Sequence, residues 1–195
     1  TFRCAEGGIT IAVTAKNAYR LYLDGEMLLH GPARTAHGYA RVDEIPLEGL
    51  APDVLHHIAV EVVVYGDTYN GYSNECTLEA GLLALEVTQN GRVLCATGCD
   101  DWQVCRLNAR LPRTERTSHS RTCCEVFDLR APQPDWQHGV HPDFVPAETC
   151  ADPVYLKRHS PLPLMEEHLI RKRIAFGSCR IDENIVLEPS FWNRE

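Results

Sequence analysis

Residues 18–34, AYRLYLDGEMLLHGPAR, constrain the fold more than any other stretch. Tyr19, Leu21 and Leu23 alternate with Arg20, Tyr22 and Asp24, a period of two that belongs to a strand with one buried face. Asp24-Gly25 supplies a tight turn and Glu26 to Leu29 brings the chain back, so the stretch reads as a β-hairpin. Gly31-Pro32 then ends the second strand, because Pro32 has no amide to donate and Gly31 can adopt backbone angles that other residues avoid.

More strands follow the same logic. Ile9, Ile11 and Val13 alternate with Thr10, Ala12 and Thr14 and give a strand before the hairpin. Tyr39 to Ile45 separates less cleanly into two faces and is expected at a sheet edge. His56 to Tyr65 places Ile58, Val60, Val62 and Val64 on one face, and its β-branched content predicts a central strand. Residues 66–74, GDTYNGYSN, form a polar loop with embedded aromatics. Thr77 to Thr88 resumes strand, Asn90-Gly91 fits a type I′ turn, and Arg92 to Thr97 returns. Trp102 to Cys105 and Cys123 to Leu129 complete the set. A succession of short strands without intervening helices predicts an all-β, antiparallel β-sandwich or jelly roll.

After Arg130 the character changes, with seven of the 12 prolines falling between Pro132 and Pro163. That density predicts an extended strap or linker with no regular ladder or helix. Leu164 to Ile174 has acids early and arginines late, the order that a helix dipole favours. The expected division is therefore a sandwich over 1–130, a Pro-rich extension over 131–164, and a short helix with the start of a following segment over 165–195. A net charge of −8, from 27 acidic and 19 basic residues, argues against nucleic acid or an anionic membrane as partner. No apolar run approaches the roughly 18 residues that cross a bilayer, and the first residues do not read as a signal peptide. Nine cysteines, an odd number without framework spacing, point to reduced thiols and a cytoplasmic setting.

Several of these stretches together resemble the first sandwich domain of bacterial α-L-rhamnosidase-type glycoside hydrolases. The resemblance rests on Y-x-L-Y-x-D-G-E followed by G-P-A-R in the hairpin, NGRVLCATGCDDWQV at 90–104, CEVFDLR at 124–130 and LKRHSPLPLMEE at 156–167. It implies a galactose-binding-like jelly roll over about residues 2–164. It also implies that hydrolysis belongs to carboxylates in a separate helical (α/α)6 barrel, for which this chain has no series of helices. The chain would then be inactive alone: an accessory module that binds carbohydrate, with rhamnose-containing sugars the candidates, or supports adjacent domains of the same polypeptide. The alternative is a structural or protein-interaction sandwich without a sugar site.

The candidate chemistry is weighed against plainer readings. Asp100-Asp101, Glu166-Glu167 and Asp182-Glu183 are adjacent acids better read as solvated charge than as a catalytic pair, so no catalytic residue is assigned. Cys95-x3-Cys99 has half of a zinc spacing, but a second clean pair is absent, so neither metal nor cofactor is expected. Ser118-His119-Ser120 lacks the elbow that exposes a nucleophile. The arginines of residues 110–121 read as a solvated loop. Carbohydrate binding is assigned to the loop, where Asp67 and Asn70 offer hydrogen bonds and Tyr69 and Tyr72 offer ring faces. Trp102 is included as a stacking platform, although its setting between turn and strand suits a core tryptophan as well, and the core is the favoured reading because large aromatics are highly buried on average.

Overall fold

A computed structural model of the chain describes residues 1–36, 38–64, 82–99, 101–111 and 125–166. Strands β1 (Ile9–Ala15), β2 (Ala18–Leu23), β3 (Glu26–Gly31), β4 (Tyr39–Leu47), β5 (Ile58–Val63), β6 (Leu83–Gln89) and β7 (Arg92–Ala96) are followed by short strands β8 (Gln103–Val104), β9 (Val145–Pro146) and β10 (Val154–Lys157). Among the described residues the one helical element is a 3₁₀ turn at Trp136–His138, and no helix is long and apolar enough to cross a membrane. By their internal contacts, 1–165 and 166–195 form two units, and all that follows concerns the first.

Two sheets make an antiparallel β-sandwich. One has the order β10-β4-β1-β6-β7 and the other β3-β2-β5, with β8 and β9 forming a separate ribbon. Their inner faces meet in one core: Ile9, Ile11 and Val13 from β1, with Leu85 and Val87 from β6 and Cys95 from β7 beside them, oppose Tyr19, Leu21, Leu29 and Ile58. Every second residue of β1 and β2 is therefore buried, as the period of two requires. Both tight turns are present: Asn90 and Gly91 have φ of 51° and 76°, the double positive φ of the predicted type I′ turn, and Asp24 and Gly25, expected only as a tight turn, have 50° and 85°, the same pattern. The N-terminal segment is tied down by Gln89, whose amide group bonds both the N–H and the carbonyl of Ala5.

Three expectations are corrected by strand order. β5 lies at an edge of its sheet among the described residues, and β2 is central instead, because β2 pairs with β3 through the hairpin and with β5 on its other side. β4 is interior, since β10 covers its outer side in parallel, with Val154 to Lys157 opposite Tyr39 to Val42. The Pro-rich stretch thus does contain ladder, because Val154 to Lys157 is a proline-free tetrapeptide and an edge position tolerates prolines nearby. In the 123–129 stretch, the described residues 125–129 form only an isolated bridge, Phe127 opposite Arg110. The helix expected over 164–174 and the Ser118-His119-Ser120 motif lie outside the described residues, apart from residues 164–166.

A polar joint fixes β10 to the core. Asp43 on β4 is 0% exposed and accepts hydrogen bonds from the Tyr19 hydroxyl (2.5 Å) and from Arg158 Nη1 (2.9 Å). Arg158 also donates to the carbonyls of Ser160 and Pro161, so one guanidinium stitches the chain after β10 to the sandwich interior. Burial, then the bond to Asp43, pushes the Tyr19 hydroxyl well above its ordinary pKa, keeping it a donor. Gly31 is required here: a Cβ at this position would collide with Asp43 Oδ2 and the Tyr19 ring.

Candidate functional site

The outward face of the β3-β2-β5 sheet carries Arg20 and Tyr22 from β2 and Glu61 from β5. Arg20 and Glu61 stand directly opposite in the antiparallel register. Such residues normally face solvent, yet Glu61 is only 6% exposed, because Arg110 and Glu125 lie over it. Arg20 Nη1 donates to Glu61 Oε2 at 2.9 Å, and its Nη2 donates to both oxygens of Glu125 at 2.8 and 2.9 Å. Arg110 closes the ring by donating to Glu61 Oε1 and pairing with Glu125 Oε2 at 3.1 Å. Its guanidinium also lies 4.4 Å from the centre of the Phe127 ring. Burial alone would raise the Glu125 carboxyl pKa; Arg20 and Arg110 outweigh it and hold the group below the usual carboxylate range.

This arrangement corrects the reading of Arg110 as part of a solvated loop. Its partners, Glu61 on β5 and Glu125, lie more than a dozen residues away in sequence, which spacing within 110–121 does not reveal. Chemically the ring is closed. Each carboxylate is engaged by two guanidinium groups, so neither is free to act as acid or nucleophile.

A cleft of about 1920 Å³ opens beside this face, lined by β5, the start of β6, the end of β7 and the segments around β8 and β9. Trp102 is in its wall, half-buried against the core, and its indole N–H donates to the Ala96 carbonyl at 3.0 Å. Tyr155 and Trp136 also line it, and the Tyr155 hydroxyl donates to Asp152 Oδ1 at 2.7 Å. Burial, then Asp152, pushes the Tyr155 hydroxyl above its ordinary pKa. Ring faces beside hydrogen-bonding oxygens are what a polyol ligand uses, and Tyr155, Trp136 and Asp152 were not singled out from the sequence. The other expected residues, Asp67, Tyr69, Asn70 and Tyr72, lie outside the described residues. Cys95 is buried in the core while Cys99 is exposed, and among the described residues no group of three His, Cys, Asp or Glu side chains is placed to hold a metal.

A two-sheet antiparallel sandwich with a closed ionic face and an aromatic-walled cleft defines the class of domain. Among solved structures, the GH78 family rhamnosidase of Bacillus sp. GL1 is similar to it, with a TM-score of 0.67 and 25% sequence identity over 83% of this chain. This likeness supports a relation to the rhamnosidase family. The chain spans 18% of the length of that rhamnosidase chain. No protein-family model matches the sequence, and no curated protein matches it.

Proposed function

We propose that this chain is a non-catalytic accessory sandwich of an α-L-rhamnosidase-like glycoside hydrolase, acting in the cytoplasm by binding carbohydrate or by supporting neighbouring domains. The observation that carries the reading is the likeness to a GH78 rhamnosidase over most of this chain and less than one-fifth of that one. The ionic ring adds support, since hydrolysis needs two available carboxylates flanking the scissile bond at roughly 5 to 9.5 Å. Glu61 and Glu125 are instead bridged by arginines. Aryl α-L-rhamnosides are expected to pass unhydrolysed by the chain alone. Turnover abolished by replacing one of its acidic residues would overturn the reading.

The carbohydrate contact is assigned to Asp67, Tyr69, Asn70 and Tyr72 with Trp102. Titration of L-rhamnose and rhamnose-containing oligosaccharides against wild type and the Tyr69→Ala/Tyr72→Ala double variant tests it, with thermal melts alongside. Loss of binding without loss of stability is expected. No binding by wild type at millimolar sugar would favour the second reading, a structural or interaction module. That reading has an observation of its own: Arg158 joins the exit segment to the core through Asp43, a feature that organises a chain rather than a ligand.

A further inference from the structure

One corner of the sandwich gathers three histidines around the Asp24-Gly25 turn. Asp24 and His57 exchange hydrogen bonds: the Asp24 N–H donates to the His57 carbonyl (2.8 Å), and the His57 N–H donates to Asp24 Oδ1 (2.7 Å). The other carboxylate oxygen, Oδ2, faces His56 Nδ1 at 2.7 Å, while His56 Nε2 faces the Ala51 carbonyl at 3.0 Å. A carbonyl only accepts, so Nε2 carries a proton. A lone pair on Nδ1 would then point at a carboxylate oxygen at hydrogen-bond distance, so the geometry calls for a second proton there. His56 is buried, and its ring lies 5.5 Å from that of Phe2, whose backbone exchanges two hydrogen bonds with that of His56.

His138 approaches the same turn from the other side. Its Nδ1 is 2.7 Å from Asp135 Oδ1, and its ring occupies the space that a Cβ on Gly25 would need. Trp136 fastens the same 3₁₀ turn by an edge-on contact with Tyr22, 5.2 Å between ring centres. His57 lies against Gly139, and burial, with His138 adding to it, holds its pKa below the ordinary value. The titratable groups facing this corner are thus Asp24 from the hairpin, His56 and His57 just before β5, and Asp135 and His138 from the 3₁₀ turn. Arg3 nearby donates to the Asp53 carbonyl.

We propose that the Asp24-Gly25 turn is a proton-controlled fastening: His56, protonated on both ring nitrogens, joins the 51–57 loop and the N-terminal residues to the hairpin, His138, paired with Asp135 and packed against Gly25, brings the 135–139 turn to the same corner, and deprotonation loosens that corner.

The direction of the pH effect follows from the neighbours. The bond to Asp24, opposed by burial, raises the His56 pKa above its ordinary 6.5, and Asp135 raises that of His138. A raised histidine contributes stability that is fully present below the unfolded-state pKa and is lost as pH rises through the folded value. For Asp24, burial opposes ionisation but the His56 and His57 bonds outweigh it, so its pKa is lowered. Its contribution is present above the unfolded value of about 4 and is lost as pH falls through the folded value. The corner is therefore tightest from about pH 4 to about pH 6.5.

The test is NMR titration of the histidine ring Cε1–H signals in the full chain from pH 4.5 to 9.5, with thermal melts over the same range, for wild type, Asp24→Asn and His138→Gln. Expected are a His56 midpoint above the ordinary value, a drop of that midpoint by about one pH unit in Asp24→Asn, and a wild-type melting temperature that falls from pH 6 to 9 more steeply than the variant's. A wild-type His56 midpoint at or below the ordinary value overturns the proposal, as does a midpoint that Asp24→Asn leaves unmoved. Should Asp24→Asn fail to fold, the wild-type His56 titration decides alone. The exposed His138→Gln variant then reports whether the melting slope depends on the second histidine.

Discussion

Arg158→Met should cost about 4 kcal/mol of folding stability, because it strands a buried carboxylate. Asp43 is 0% exposed and has two partners, the Tyr19 hydroxyl and Arg158, whose own side chain is only 14% exposed. Methionine keeps most of the arginine stem's packing, so the loss is largely that of the charge opposite Asp43. Breaking a buried pair by removing one partner typically costs 3–5 kcal/mol, against about 0–1 kcal/mol for a surface pair. With a urea m-value of about 2 kcal/mol/M, the unfolding midpoint should fall by about 2 M. For a chain of this size the melting temperature should fall by roughly 8–16 °C. The double variant Asp43→Asn/Arg158→Met should be more stable than Arg158→Met alone, since the stranded charge has gone. A single-variant cost below about 1 kcal/mol would refute the reasoning, as would costs that simply add in the double variant.

Glu61→Gln should lose about 2 kcal/mol by chemical denaturation, because two guanidinium groups lose a charged acceptor in a nearly buried position; an unchanged midpoint would make the ring a surface ornament. Gly25→Ala should lose about 1–2 kcal/mol in a thermal melt, from a side chain forced to φ of 85° and from displacement of His138. Elemental analysis of dialysed protein should find no stoichiometric zinc; one equivalent would show that the cysteine-spacing argument fails.

What was legible in the sequence was what neighbours in the chain decide. The alternation of Ile9, Ile11 and Val13, the Asp24-Gly25 and Asn90-Gly91 turns, and the inward set Tyr19, Leu21 and Leu23 all follow from side-chain period and turn chemistry within about ten residues. Strand order was not legible, because it is set by partners far away. β5 is rich in β-branched residues yet sits at a sheet edge among the described residues, while β4 looks marginal and is interior because residues 154–157 cover it. The same distance hid both polar clusters: Arg158 is 115 residues from Asp43, and Glu125 is 105 from Arg20. Of the expected sugar contacts, Trp102 packs on the core, the role its sequence setting favoured, while also lying in a cleft wall.

The parallel pairing of β10 with β4 has a consequence for the nascent chain. Asp43 leaves the ribosome 115 residues ahead of Arg158. At about 5–20 residues per second that is an interval of roughly 6–23 s. Throughout it, β4 presents an uncovered row of amides and carbonyls, and its aspartate waits without a cation. Such an edge is a template for strands from other copies being translated on the same message. Ribosome spacing and local elongation rate across residues 47–153 therefore bear on how much of this protein reaches its native form, in a way that the stability of the finished sandwich does not predict.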